Sequence, residues 1–158
     1  MSIEKVKNFF DLFGMKERVL EFDVSSATVQ LAAKALNTAE GRIAKSMAFI
    51  QGENVAIIVM TGDVKIDNAK YKAEFHLKAK MVPFDEVGAV VGHNAGGVCP
   101  FAINDGISVY LDNSLKKYDT VFPACGSSNS AIELTALELE KYSQNFKGWI
   151  DVTKSITE

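Results

Sequence analysis

Residues 44–61, AKSMAFIQGENVAIIVMT, decide the fold. The pattern of residues 44–51 suits a β-strand, Gly52 and Glu53 supply a turn, and residues 54–61 suit a strand buried on both faces, so the stretch is expected to be a hairpin. Period-two alternation places Lys45 on the same strand face as Met47 and Phe49. That face is apolar, which makes Lys45 the first side chain in need of an explanation.

Outward from the hairpin, helical and strand patterns share the chain. Upstream, Ile3, Val6, Phe9, Phe10 and Phe13 recur at helical spacing after a Ser2 cap, with Gly14 as a stop. Residues 18–22 read as a short strand. A helix is expected from Ala27, capped by Ser26 and turning Val29, Ala32, Ala33 and Leu36 to the core, with a polar break at Asn37 and Thr38 and a short helical turn leading to Lys45. Downstream, Asp67 can cap a helix through Phe75, and residues 83–91 form another, ended by Gly92. Residues 107–111 and 120–125 read as strands, with a helical turn at 114–117 between them. Thr135 and Glu138 form a capping box opening a helix to about Asn145, and residues 149–152 close the chain as a strand. No repeat, linker or low-complexity segment interrupts this order, so the expectation is one mixed α/β domain over residues 1–158.

Composition limits the function classes. A chain of 158 residues can bury a full core, and 47% hydrophobic with 23% charged residues is the balance of an ordinary globular domain. The net charge of −3 carries no general nucleic-acid signature, so any RNA contact has to be local. Two clusters could supply one, Lys7 with Lys16 and Arg18, or Lys65 with Lys70 and Lys72. The longest apolar run, 55–60, is far short of the roughly 20 residues a membrane span needs, and MSIEKVKNFF has no signal-peptide core. A cytoplasmic protein without a membrane contact is expected. Cys99 and Cys125 lack CxxC spacing, and His76 and His93 form no HxxxH pair, so two free thiols, no metal and no cofactor are expected.

Three stretches could carry chemistry. Lys45 either runs its ammonium out to solvent or aims it into a pocket, where it could polarise a carbonyl or hold a ribose hydroxyl or phosphate. Gly92, Gly96, Gly97 and Pro100 in GHNAGGVCPF either connect a helix to a strand or bring backbone N–H groups to a ligand as an oxyanion hole; neither a P-loop nor a dinucleotide fingerprint is present. ACGSSNSAIEL offers a hydroxyl-rich turn from Gly126 to Ser130, with no G-x-S-x-G and no legible Ser-His-Asp set. Cys99 with His93 as its base is a further candidate, set against inert packing of a small thiol.

Taken in order, TVQLAAKAL, RIAKSMAF, GHNAGGVCPF and VFPACGSSNSAIELTALELEKY resemble the YbaK family of prolyl-tRNA synthetase-associated editing domains. The resemblance implies a strongly curved mixed sheet with helices packed outside, and a pocket for the aminoacylated terminal adenosine of a tRNA. It implies hydrolysis of the aminoacyl ester, with a small wrong amino acid (alanine, cysteine, serine or threonine) on tRNA for proline, and prolyl-tRNA synthetase as a possible partner. The family's central lysine matches Lys45, its G-G-x-x-P loop matches Gly96, Gly97 and Pro100, and its threonine before the first motif helix matches Thr28. Both readings together assign catalysis to Lys45, Gly96 and Gly97, and substrate contact to Thr28, Met47, Pro100, Gly126, Asn129 and Ser130. No protein nucleophile is needed, because an oriented water or the vicinal ribose hydroxyl could act on an ester that is already reactive. The sequence departs from the family at Asn37 and Ala102, where glycine is common, and offers only Asn129 and Ser130 where relatives carry an acid or histidine. The rival expectation is a non-catalytic module of the same fold that binds tRNA or a synthetase.

Overall fold

A computed structural model describes residues 2–157. In chain order its elements are α1 (Ser2–Asp11), β1 (Val19–Glu21), α2 (Val29–Leu36), β2 (Ile43–Gln51), β3 (Asn54–Thr61), β4 (Val64–Ile66), α3 (Asn68–Phe75), α4 (Val87–Val91), β5 (Ser108–Asp112), β6 (Phe122–Pro123), β7 (Ser130–Ile132), α5 (Ala136–Tyr142), β8 (Phe146–Ile150) and β9 (Thr153–Ser155). The expected hairpin is the centre: Lys45 stands opposite Met60 and Gln51 opposite Asn54, and Gly52 takes the positive φ of 67° that the tight turn requires. Around it lies a curved five-stranded mixed sheet in the order β6-β2-β3-β5-β8, in which only β2 and β3 run antiparallel. Two small antiparallel pairs, β1 with β7 and β4 with β9, flank it.

Both faces of β3 are buried. Ile57 and Val59 face a large core with Phe10, Phe101, Leu111 and Leu134, and Ile58 and Met60 face a second core with Phe49, Tyr71 and Val152. Full burial of each such side chain contributes about 1.5–3 kcal/mol, so the strand is held from two directions. Asp67 caps α3 through the amides of Ala69 and Lys70, and the capping box of α5 closes in both directions at 3.0 and 3.1 Å.

Several boundaries differ from the sequence reading, each for a local reason. The cap of α2 is Thr28, whose hydroxyl accepts from the Leu31 amide, whereas Ser26 is buried and donates to the Ser128 carbonyl. Ser2 is already helical and spends its hydroxyl on the Gly92 carbonyl. The α4 helix begins only at Val87, because Pro83 opens a turn closed by the Glu86 amide. The strand expected at 120–125 shrinks to Phe122–Pro123, since Pro123 has no N–H to continue a ladder. The α5 helix stops at Tyr142, where the Ser143 hydroxyl takes the Leu139 carbonyl. The strand expected at 149–152 is Phe146–Ile150, and β4 and β9 are too short to show a period in the sequence.

The two departures from family glycines fall on left-handed backbone. Asn37 is the C-cap of α2 at φ 53°, a conformation asparagine tolerates. Ala102 has φ 50°, where a Cβ costs about 1–2 kcal/mol. Ala102→Gly relieves this at an unfolded-state cost of about 0.4–1 kcal/mol. Thermal unfolding followed by circular dichroism is therefore expected to shift upward by a few degrees; a lowered midpoint would contradict the strain.

Candidate functional site

A cavity of about 610 Å³ opens beside β2, within the size range of small-molecule sites. Its position follows from hydrogen bonding along the outer edge of that strand. Phe122 and Pro123 of β6 pair with Ile43 and Ala44, and pairing resumes where the Val82 amide donates to the Ala48 carbonyl and the Ile50 amide to the Lys80 carbonyl. Between these contacts the edge is open. Alternation puts the Ser46 N–H and C=O on the same edge as those of Ala48 and Ile50, facing the gap.

Small side chains hollow out the space. Ala44, Ser46 and Ala48 lie on one face of β2, and Ala27, Ala32, Ala124 and Ala131 line neighbouring walls. Met47, Met81, Phe84 and Val98 add apolar surface, and Ser26, Thr28, Ser46 and Ser130 bring hydroxyls. Lys45 is the one charged side chain lining the cavity among the described residues.

Lys45 is half-buried, and its Nζ donates to the Val64 carbonyl at 2.5 Å. Burial lowers its pKa from the ordinary lysine value, and the Asp63 carboxylate opposes that shift. Asp63 is itself held: Thr61 Oγ1 donates to Oδ1 at 2.6 Å, and the Tyr118 hydroxyl donates to Oδ2 at 3.2 Å. Gly41 leaves room for this contact, since a Cβ there would lie 2.7 Å from Asp63 Oδ2 and closer still to the Tyr118 hydroxyl. The ammonium is thus fixed by a carbonyl, and the anchored carboxylate favours its charged form against the effect of burial.

The glycine loop divides its labour. Gly96 lines the cavity at φ 92° and packs against Ala27, and its N–H has no protein partner among the described residues. Gly97 lies behind it: its N–H donates to the Asn94 carbonyl, its carbonyl accepts from the Gly126 amide, and a Cβ would meet the Gly126 carbonyl carbon at 2.6 Å. The Gly97 amide is therefore spent, and its lack of a side chain serves backbone packing. Gly126, Pro100 and Asn129 also stand outside the cavity lining. Gly126 backs onto the Ser2 backbone, the Pro100 carbonyl accepts from Gln144, and Asn129 donates to the Phe22 carbonyl. Of the residues singled out in the sequence, Thr28, Lys45, Met47, Gly96 and Ser130 converge on the cavity.

Ser46 also lines the cavity, although no motif in the sequence marks it. Its Oγ is buried with no hydrogen-bond partner, an arrangement that costs about 1–3 kcal/mol unless a ligand or water fills it. The signal was present as small residues at 44, 46 and 48, which leave a hollow on one strand face. Pro83 and Phe84, which in sequence read as the start of a helix, form part of the rim, as does Met81, for which the sequence offers no reading.

The thiol alternative does not fit. Cys99 and Cys125 are buried, free and outside the cavity lining. Burial pushes the Cys99 thiol up to about 12 and the Cys125 thiol well above its usual value, so neither carries thiolate near neutral pH. His93 is fully buried, with Nε2 2.7 Å from the Phe101 carbonyl, and burial lowers its pKa. Among the described residues no cluster of His, Cys, Asp and Glu could hold a metal. No helix there is long and apolar enough to cross a membrane.

The cavity thus has one lysine in an otherwise uncharged lining, beside an open strand edge and a glycine loop. Residues 24–142 match the family model of the aminoacyl-tRNA editing domain, and the chain belongs to that family. Among particular relatives, it is 49% identical over 155 residues to "Uncharacterized protein YwhH" of Bacillus subtilis (strain 168), covering 98% of each chain. A solved structure described as "a putative trans-editing enzyme for prolyl tRNA synthetase" superposes with a TM-score of 0.85 at 24% identity, again covering 98% of each. A second, of hypothetical protein APE2540, gives 0.78 at 23% identity over 91% of this chain and 99% of that one. These structural likenesses establish the fold.

Both thiols are expected to be inert to a small aromatic disulfide reagent at pH 8 in the native protein and to react on unfolding in denaturant. Fast modification of the native protein would contradict their burial.

Proposed function

We propose that the protein hydrolyses the ester of a mischarged aminoacyl-tRNA, with tRNA for proline carrying alanine, cysteine, serine or threonine as the substrate class. The observation that carries this reading is one lysine, its ammonium anchored on the Val64 carbonyl, among the residues that line an apolar cavity with no thiol, imidazole or carboxylate in its lining among the described residues. Such a site suits a substrate that needs its carbonyl polarised and its charge stabilised but brings its own reactivity.

In this scheme the terminal adenosine enters the gap beside β2. An ammonium has three donors, so Lys45 can keep its hydrogen bond to Val64 and give another to the ester carbonyl. The Gly96 N–H, free of protein partners, and the Ser46 N–H at the open edge are suited to the developing oxyanion. Donors of this kind are each worth on the order of 10²- to 10³-fold. Water, held by the vicinal ribose hydroxyl, adds to the carbonyl carbon. The bond to the ribose oxygen breaks, and the proton of the attacking water passes to that oxygen, leaving free amino acid and intact tRNA. The unpartnered Ser46 hydroxyl rewards a bound amino acid that supplies its missing hydrogen bond. Prolyl-tRNA synthetase is the natural partner for such a substrate.

Release of labelled amino acid from a panel of charged tRNAs tests the scheme. Wild type is expected to release selectively from one mischarged member, and Lys45→Ala to lose at least about 100-fold in kcat/KM with its circular dichroism unchanged. Full activity in that variant would sink the assignment, and no release from any member by wild type would favour a binding module.

Asp63 is a positioning residue in this account, and its role has its own signature. Its negative charge favours the protonated lysine, so Asp63→Asn is expected to lower the Lys45 pKa further and move the alkaline limb of the kcat/KM profile to lower pH, after correction for spontaneous hydrolysis. A profile reduced in height but unmoved would assign Asp63 a purely structural part.

A further inference from the structure

We propose that the exposed strip from Lys78 to Phe84 at the cavity mouth docks the single-stranded 3′ end of the tRNA, with the Phe84 ring as a stacking surface for a nucleobase and the lysines as phosphate contacts. The inference rests on the proposed tRNA substrate and adds the surface that receives its unpaired nucleotides.

Phe84 is 82% exposed and Met81 50% exposed, and both line the cavity. A phenyl ring left in water gains nothing from the fold. The backbone that carries it is nevertheless held, for Val82 and Val87 on either side are buried, and the turn at Pro83 is closed by the Glu86 amide at 2.9 Å. Upstream, the strip is pinned to β2 by the Phe49–Met81 bridge and by the hydrogen bonds of Lys80 and Val82. The backbone thus carries an exposed aromatic side chain from a fixed point beside the opening.

The charges agree with a polyanion arriving from one side. Lys78 and Lys80 are exposed and form no ion pair among the described residues. Of the cations in the two basic clusters of the sequence, half are occupied: Lys7 pairs with Glu21, Arg18 with Glu138 and Lys70 with Asp151, while Lys16, Lys65 and Lys72 form no ion pair among the described residues. Asp85 and Glu86 follow Phe84 directly, so a phosphate backbone is favoured along the lysine side and repelled beyond the ring. An aromatic platform next to free lysines is the combination by which proteins bind single strands without reading their sequence.

The test uses an unacylated RNA minihelix in which the unpaired nucleotide next to the terminal adenosine is replaced by 2-aminopurine, a base whose fluorescence is quenched on stacking. Wild type is expected to bind and quench it. Phe84→Ala should weaken binding about 10-fold or more and abolish the quench, while Phe84→Trp retains both. The pair Lys78→Gln and Lys80→Gln should reduce the slope of log K against log salt by about 1.4, at about 0.7 per phosphate contact on a single strand. No quench by wild type, or equal binding and salt slope in all variants, would overturn the proposal. So would a Phe84→Ala protein that loses affinity for prolyl-tRNA synthetase and keeps the minihelix, since the strip would then be a protein contact. Because binding is read without hydrolysis, Phe84-dependent quenching with no amino-acid release would leave the docking strip standing and remove the deacylase reading. Release with an unchanged KM in Phe84→Ala would do the reverse.

Discussion

The interruption in pairing along the outer edge of β2 is the constraint on which the site depends. Pro123 cannot donate, so β6 stops opposite Ala44, and the chain returns to that edge only at Lys80–Val82. The gap lies where Ala44, Ser46 and Ala48 keep one face of the strand shallow. Were β6 longer, it would satisfy the edge and fill the cavity. The rest of the fold keeps this gap from collapsing: β3 is clamped between two cores, and Arg42 holds β6 in place through the Thr120 carbonyl and the Phe122 ring.

Lys45 resolves a conflict between local pattern and burial. A lysine on an apolar strand face would ordinarily extend to water. Here the stem packs on the Met47 and Met60 side of the sheet, and the ammonium ends on the Val64 carbonyl with Asp63 nearby. A partly desolvated cation interacts more strongly with a developing negative charge than one in bulk water. Thr61, Tyr118 and the missing side chain of Gly41 all serve to hold the carboxylate whose charge opposes the effect of burial on this cation.

Much of the fold was legible because its signals are local. The hairpin turn at Gly52, the Asp67 cap and the Thr135–Glu138 box are each written within a few residues, and each formed as read. What escaped depends on partners far along the chain. Thr28 rather than Ser26 caps α2 because Ser26 is drawn to Ser128 across the fold. Gly97 looks like Gly96 in sequence, yet only the approach of Gly126 shows that one is packed and the other faces the cavity. Lys45 could be singled out from alternation, but the carbonyl that receives it could not. Phe84 read as part of a helix because nothing in the sequence says that its ring finds no neighbour.

The most direct measurement is a titration of the 15N-labelled protein with a non-hydrolysable analogue, an adenosine carrying alanine through an amide at the 3′ position. Binding in the gap predicts the largest amide shifts at Ser46 and Gly96, with little change at His93 in the core. Shifts centred instead on the shallow depression of Arg42, Lys117 and Thr120, with Ser46 and Gly96 unmoved, would contradict the account.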